Sequence, residues 1–151
     1  MSSTSSQVVV GFNLSRSGRE ALHRAIALAT RAPGHVLHFV CVIEPHSAIP
    51  SIPTNHVDYQ YAERVQQALT DVVTAELQAG NITDRIHFCV HARIGKPADE
   101  ILGLARDVGA DLFIDAVIRH SVERAEVAVL NKPFCGHVLA GRIRQILDLR
   151  R

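Results

Sequence analysis

Short runs of consecutive apolar residues alternate along this chain with longer stretches in which apolar residues recur every three to four positions. Residues 8–12 read Val-Val-Val-Gly-Phe, and residues 36–43, 86–90 and 111–114 read as three further short strands, each with one polar residue among apolar ones. A strand apolar at consecutive positions is one buried on both faces. Between the first two runs, Ala21, Leu22, Ala25, Ile26, Leu28 and Ala29 fall at helical spacing. Between the next two, Val57, Tyr61, Val65, Leu69 and Val72 do the same, and Ile101, Leu102, Ala105 and Val108 mark a third helix. Strand–helix alternation of this kind builds a parallel sheet with helical crossovers. The expected fold is therefore α/β: a single-domain, open, five-stranded parallel sheet, doubly wound and Rossmann-like.

Turn chemistry supports these boundaries. Ser17 with Glu20 has the spacing of a capping box, and Pro33-Gly34 stops the first helix. Glu44-Pro45 ends the second strand, and Pro50 and Pro53 stiffen the loop after it. Gly95-Lys96-Pro97 opens the third helix with proline in its first turn, and Gly109 closes it. Beyond residue 115 the pattern predicts a short helix over 122–131, a fifth strand over 137–140 and an amphipathic tail. The Ser/Thr-rich residues 1–6 read as a flexible N-terminus, 7–142 as the domain and 143–151 as a helical tail.

Composition removes whole classes of function. The hydrophobic fraction is 47% and the charged fraction 21%, which is a globular balance. A formal charge of +1 gives no field able to hold a nucleic acid or an anionic membrane. Arg142, Arg144, Arg150 and Arg151 make the tail basic, but Asp148 lies among them and no aromatic residue accompanies them; this reads as a solvated helix face. No apolar run is long enough for a membrane span, and residues 1–7 have neither a basic nor an apolar signal region. The cysteines Cys41, Cys89 and Cys135 have no metal-type spacing and read as reduced thiols, so a cytoplasmic location is expected.

In doubly wound sheets ligands bind beyond the carboxyl ends of the strands. That rule selects Phe12-Asn13-Leu14, Ile43-Glu44, His91-Ala92-Arg93 and Asp115 to Ser121, Arg119 among them, for a candidate crevice. Chemistry-bearing patterns are otherwise sparse. Gly95-Lys96-Pro97 lacks the rest of a phosphate-binding loop and reads as a turn into a helix. His87, Cys89 and His91 alternate along one strand and share a face, but there is no paired metal motif, and no metal site is expected. Cys41 and Cys89 fall on the second and third strands. Ser15, Ser17 and Ser121 lack a nucleophile elbow, and Ser17 and Ser121 read as helix caps. Tyr61 has the period of a core residue, whereas Tyr59 lies beside the proline loop.

The stretch from Arg93 to Ile114, Arg-Ile-Gly-Lys-Pro-Ala-Asp-Glu-Ile-Leu-Gly-Leu-Ala-Arg-Asp-Val-Gly-Ala-Asp-Leu-Phe-Ile, resembles the Gly-x-Pro, Ile-Leu, Ala-Asp-Leu segment of the universal stress protein family. Residues 8–15 and Ala21, Leu22 and Ala25 are similar to that family's first strand and helix, and residues 121–139 to its closing helix and last strand. The resemblance implies a five-stranded doubly wound fold that commonly dimerises, with Gly95 near a nucleotide in the family's ATP-binding branch. That branch carries Gly-x2-Gly-x9-Gly-Ser/Thr after the fourth strand, where glycines let backbone N–H groups close around phosphates. Here no glycine occurs from Asp111 to Lys132. Roughly ten residues of the phosphate-cradling loop are missing. Asp115 stands where phosphates would sit, and Asn13 replaces the usual Asp.

These departures predict a protein that does not bind ATP in the family mode. The expectation is a non-enzymatic stress-response protein without a cofactor, acting as a homodimer through its last strand, from Gly136 to Gly141, or against a protein partner. The alternative is a sensor of adenosine-type or cyclic nucleotide ligands with an altered crevice of Phe12, Asn13, Ile43, Gly95, Asp115 and Arg119.

Overall fold

A computed structural model describes residues 5–12, 16–31, 34–49, 51–119 and 122–129. The elements run β1 (Ser6–Gly11), α1 (Arg16–Arg31), β2 (His35–Ile43), α2 (Tyr59–Ala79), a 3-10 turn (Thr83–Arg85), β3 (His87–Ile94), α3 (Pro97–Val108), β4 (Leu112–Arg119) and β5 (Val122–Val129). They form one sheet in the order β3-β2-β1-β4-β5. β1 to β4 are mutually parallel, and β5 runs antiparallel to β4.

The connections step outward from β1 to β2 to β3 and then return across the sheet to β4. α1 and α2 consequently pack on one face and α3 on the other, the doubly wound arrangement expected from the alternation. Val8, Val10, Leu37, Phe39, Cys41 and Ile43 point toward α1 and α2, where they meet Ala21, Leu22, Ala25, Tyr61, Val65, Leu69, Val73 and Leu77. Val9, Val40 and Phe113 point the other way, against Ile101, Leu104 and Ala105 of α3. Strand alternation sends neighbouring residues to opposite faces, so Val8-Val9-Val10 had to be apolar throughout.

Local signals fix the helix ends. Asp58 caps α2 by accepting from the Tyr61 backbone N–H at 2.9 Å. α3 begins at Pro97 and ends at Gly109, which takes the left-handed φ of 63° that glycine tolerates. α1 begins at Arg16, so Ser17 lies within the first turn and not ahead of it as the capping-box spacing suggested.

The largest departure from expectation follows Ile114. The fourth strand continues to Arg119, and residues 122–129 form a strand where a short helix was expected. Ala, Glu and Arg in that stretch favour a helix locally. Eight consecutive pairs, from Leu112↔Val129 to Arg119↔Val122, override that preference. The expected strand at 137–140, the edge from Gly136 to Gly141 and the tail at 143–151 lie outside the described residues. Among the described residues, no helix is long and apolar enough to cross a membrane.

Candidate functional site

Three of the six candidate residues come together at the carboxyl ends of β1 to β3. Phe12 is buried just after β1; its backbone N–H donates to the Val40 carbonyl at 2.9 Å, and its ring meets Phe39 edge-on at 5.8 Å. Ile43, the buried last residue of β2, accepts from the Gly95 N–H at 2.9 Å. At Gly95, whose φ is 157°, an added Cβ would lie 2.6 Å from a Glu100 carboxylate oxygen, so that side chain would have to shift. Asn13 lies outside the described residues.

Asp115 and Arg119 belong to β4, opposite Glu126 and Val122 of β5. The register Val10↔Ile114 sets Asp115 level with Gly11, the end of β1. Residues 116–119 therefore pass that end by about 13 Å, at roughly 3.3 Å per residue. Where the sequence suggested a loop at the crevice, a pair of strands stands beside it.

Gly11, Phe12, Val40, Cys41, Val42, Pro97 and Ile101 bound a cavity of about 90 Å³ at the carboxyl ends of β1 and β2. Sites for drug-sized ligands occupy roughly 300–1,000 Å³. The cavity lining is apolar apart from backbone groups.

A second, wider groove of about 570 Å³ is lined by Val57, Asp58, Tyr59 and Ala62 around the start of α2, by Ala92, Arg93 and Ile94 of β3, and by Glu100 of α3. Tyr59 is 86% exposed on its rim. Arg93 pairs with Asp107 at 3.2 Å and with Glu100 at 3.8 Å. Tyr61, two residues on, is fully buried, as its period predicted. Its hydroxyl accepts from the Ile49 N–H and donates to the Ile52 carbonyl, so it holds the loop after β2 against α2.

The histidines form a network that single-strand spacing did not reveal. His38, only 7% exposed, faces the α3 side of β2. Its Nε2 lies 2.7 Å from Gln7 Oε1 and its Nδ1 lies 3.2 Å from His91 Nε2. Because Gln7 Oε1 can only accept, His38 carries its proton on Nε2 and accepts from His91 at Nδ1. Gln7 in turn donates to the Ser5 hydroxyl at 3.1 Å. The chain of hydrogen bonds thus ties β3 to β2 to β1. Burial lowers the pKa of both histidines, and at His91 the charges of His38 and Arg93 lower it further.

His87, Cys89 and His91 do share a face of β3 by alternation, yet among the described residues no group of three or more His, Cys, Asp or Glu side chains is placed to hold a metal ion. Cys41 and Cys89 do not approach one another: Cys41 pairs with Ala92 and Cys89 with His38, and the two thiols point to opposite faces. Ser15, Ser121 and Cys135 lie outside the described residues.

Comparison with solved structures finds universal stress proteins. A universal stress protein family member from Burkholderia pseudomallei is 20% identical, with 75% of this chain and 82% of that one covered and a TM-score of 0.49. Universal stress protein UspA from Lactobacillus plantarum is 15% identical, with 91% of each chain covered and a TM-score of 0.53. A universal stress protein solved in complex with cAMP is 23% identical, with 73% and 71% covered and a TM-score of 0.43. No curated protein matches the sequence. The model of the universal stress protein family matches residues 5–114, which span β1 through the third residue of β4 and include every helix described above. By that match over most of its length, the chain belongs to the universal stress protein family.

Proposed function

We propose that this protein acts in stress response by contact and not by turnover, as a homodimer or against a protein partner, and that it does not bind ATP in the manner of the family's ATP-binding branch. The observation that carries this reading is the course of the chain after Ile114. The family match stops there. β4 instead runs on to Arg119, and β5 begins at Val122, with two residues of sequence between them. The ATP-binding branch places its glycine-rich phosphate cradle after the fourth strand, and this sequence has no glycine from Asp111 to Lys132.

The cavity of about 90 Å³ at the ends of β1 and β2 is well below the roughly 300 Å³ at which small-molecule sites begin, and the groove of about 570 Å³ that exceeds that volume is lined by two carboxylates, Asp58 and Glu100, which disfavour a phosphate chain. Dimerisation through residues 136–141, which the sequence reads as a last strand, and a cytoplasmic location complete the proposal. An unpaired strand edge must be covered or protected, and a second copy of the same edge is the simplest cover.

A thermal-shift titration with ATP, AMP, cyclic AMP and adenosine, each with and without magnesium, tests this. A ligand at 100 times its dissociation constant adds about 2.7 kcal/mol of stability, readily visible in a domain of this size. No shift with any of the four is the expected result. A shift with ATP would overturn the reading. A shift with adenosine or cyclic AMP alone would replace it with a ligand sensor.

A further inference from the structure

β3 is the outermost strand on its side of the sheet. Its inner side pairs with β2 along its whole length, from His87 to Ile94. Among the described residues no strand pairs with its outer side, so backbone donors and acceptors there are open to an added strand. The groove of about 570 Å³ touches residues on both faces of the sheet: Val57, Asp58, Tyr59 and Ala62 on the α2 side, Glu100 on the α3 side. These residues meet around the last three residues of β3, an edge strand, so the groove lies against the rim of the sheet at residues 92–94.

The two walls differ in chemistry. Toward α2 the wall is Val57, Ala62, Ala92 and Ile94, with the exposed ring of Tyr59 above it. Toward α3 it is Glu100 and Arg93, and Arg93 is shared between Glu100 at 3.8 Å and Asp107, which lies outside the groove, at 3.2 Å. With Asp58, the lining therefore carries two carboxylates and one paired guanidinium. A strand laid along β3 sends alternate side chains to these two walls.

We propose that the outer edge of β3 binds an extended segment of a partner protein in which apolar and basic residues alternate. Backbone pairing with β3 supplies affinity, apolar side chains sit toward Tyr59 and Ala62, and basic side chains sit toward Glu100. An anionic ligand is disfavoured by the same carboxylates. This names a partner chemistry for the contact mode of action proposed above and rests on it. The two fail separately, because nucleotide binding is read by the titration and peptide docking by the experiment below.

The probe is a fluorescein-labelled peptide of about seven residues, the length of a typical strand, alternating valine and lysine. It is titrated against the full chain beside a valine–glutamate peptide and a copy of the basic peptide N-methylated at alternate residues. The basic peptide is expected to bind at least about tenfold tighter than either control, because one loses the charge match and the other the backbone donors. Tyr59→Ala and Glu100→Gln are each expected to weaken it about five- to tenfold, and backbone amide shifts on binding to fall on residues 57–62 and 92–94. Tyr59 is exposed, so its variant keeps the fold and tests the site even where another variant fails to fold. Equal binding of all three peptides would overturn the proposal, as would shifts elsewhere or no binding up to about 1 mM. So would protection of β3 by self-association in the free protein, measured by sedimentation with hydrogen exchange, because the occupant would then be a second copy.

Discussion

The two faces of the sheet are closed in different ways. Toward α1 and α2, apolar side chains run without interruption from β3 across to β4. Toward α3 the apolar cluster is smaller, centred on Val9, Val40, Phe113, Ile101 and Leu104. Beside that cluster the face is completed by polar groups, Gln7, His38 and His91, one from each of β1, β2 and β3. Among the described residues α3 is the only helix on this face, and one helix covers fewer strands than two. Where its apolar cover ends, hydrogen bonds between side chains hold neighbouring strands together.

The contrast sets an order of mutational effects. Phe39→Ala, in the face covered by two helices, removes a ring that meets both Phe12 and Phe88 edge-on. It is expected to cost about 3–5 kcal/mol, read as a lowered urea midpoint. Leu104→Ala, the matching truncation under α3, is expected to cost less, about 2–3 kcal/mol, because a thinner layer collapses more readily into the space. Equal costs would show that the second face is packed as tightly as the first.

Much of this contrast could be read from the sequence, and the rest could not. Consecutive valines at 8–10 announce a strand with two apolar faces, and Pro97 and Gly109 bracket α3, because those signals are local. The placement of Phe12, Ile43 and Gly95 at the carboxyl ends of β1, β2 and β3 followed from the strand order and from family resemblance. β5 was missed because its partner in the ladder, not its own residues, makes it a strand. The histidine network was missed for a related reason. Gln7, His38 and His91 are brought together by the registers Gln7↔Val36 and Val40↔His91, which no spacing within a single strand encodes.

The network is where the second face is most specific. His38→Leu leaves Gln7 Oε1 and the His91 N–H without their partner and is expected to cost about 1–3 kcal/mol. Replacing all three polar groups with apolar residues is expected to recover part of that loss, since no buried donor or acceptor is then orphaned. If the triple variant is the worst of the set, the network contributes more than satisfied polarity.

The same groups give the molecule a pH dependence. Both histidines have folded-state pKa values below the ordinary 6.5. The unfolded chain therefore takes up protons first as pH falls, and stability drops below about pH 6.5 while remaining full above it. The charged groups near the pair point the same way or are already matched: Arg93 lowers His91 and is itself paired with Glu100 and Asp107 of α3, while Asp111 is held by Ser6 and the Gln7 N–H. Urea midpoints between about pH 5 and pH 8 check this. His38→Leu is expected to flatten the profile, whereas Leu104→Ala lowers it without changing its shape.

The apolar face has one polar contact of its own, and it gives the smallest expected effect. The Tyr61 ring is wholly buried, but its hydroxyl reaches the surface loop and bonds to the Ile49 N–H and the Ile52 carbonyl. Tyr61→Phe keeps the ring and its packing and removes only those two bonds. Both backbone partners belong to a partly exposed loop that water can reach, so the global cost is expected to be about 1 kcal/mol or less. Its signature is local: faster amide exchange at Ile49 and Ile52 with that of the β1 and β2 amides unchanged. Faster exchange spreading into the strands would instead mean that this loop helps close the sheet, and that the face covered by two helices also depends on a polar tie.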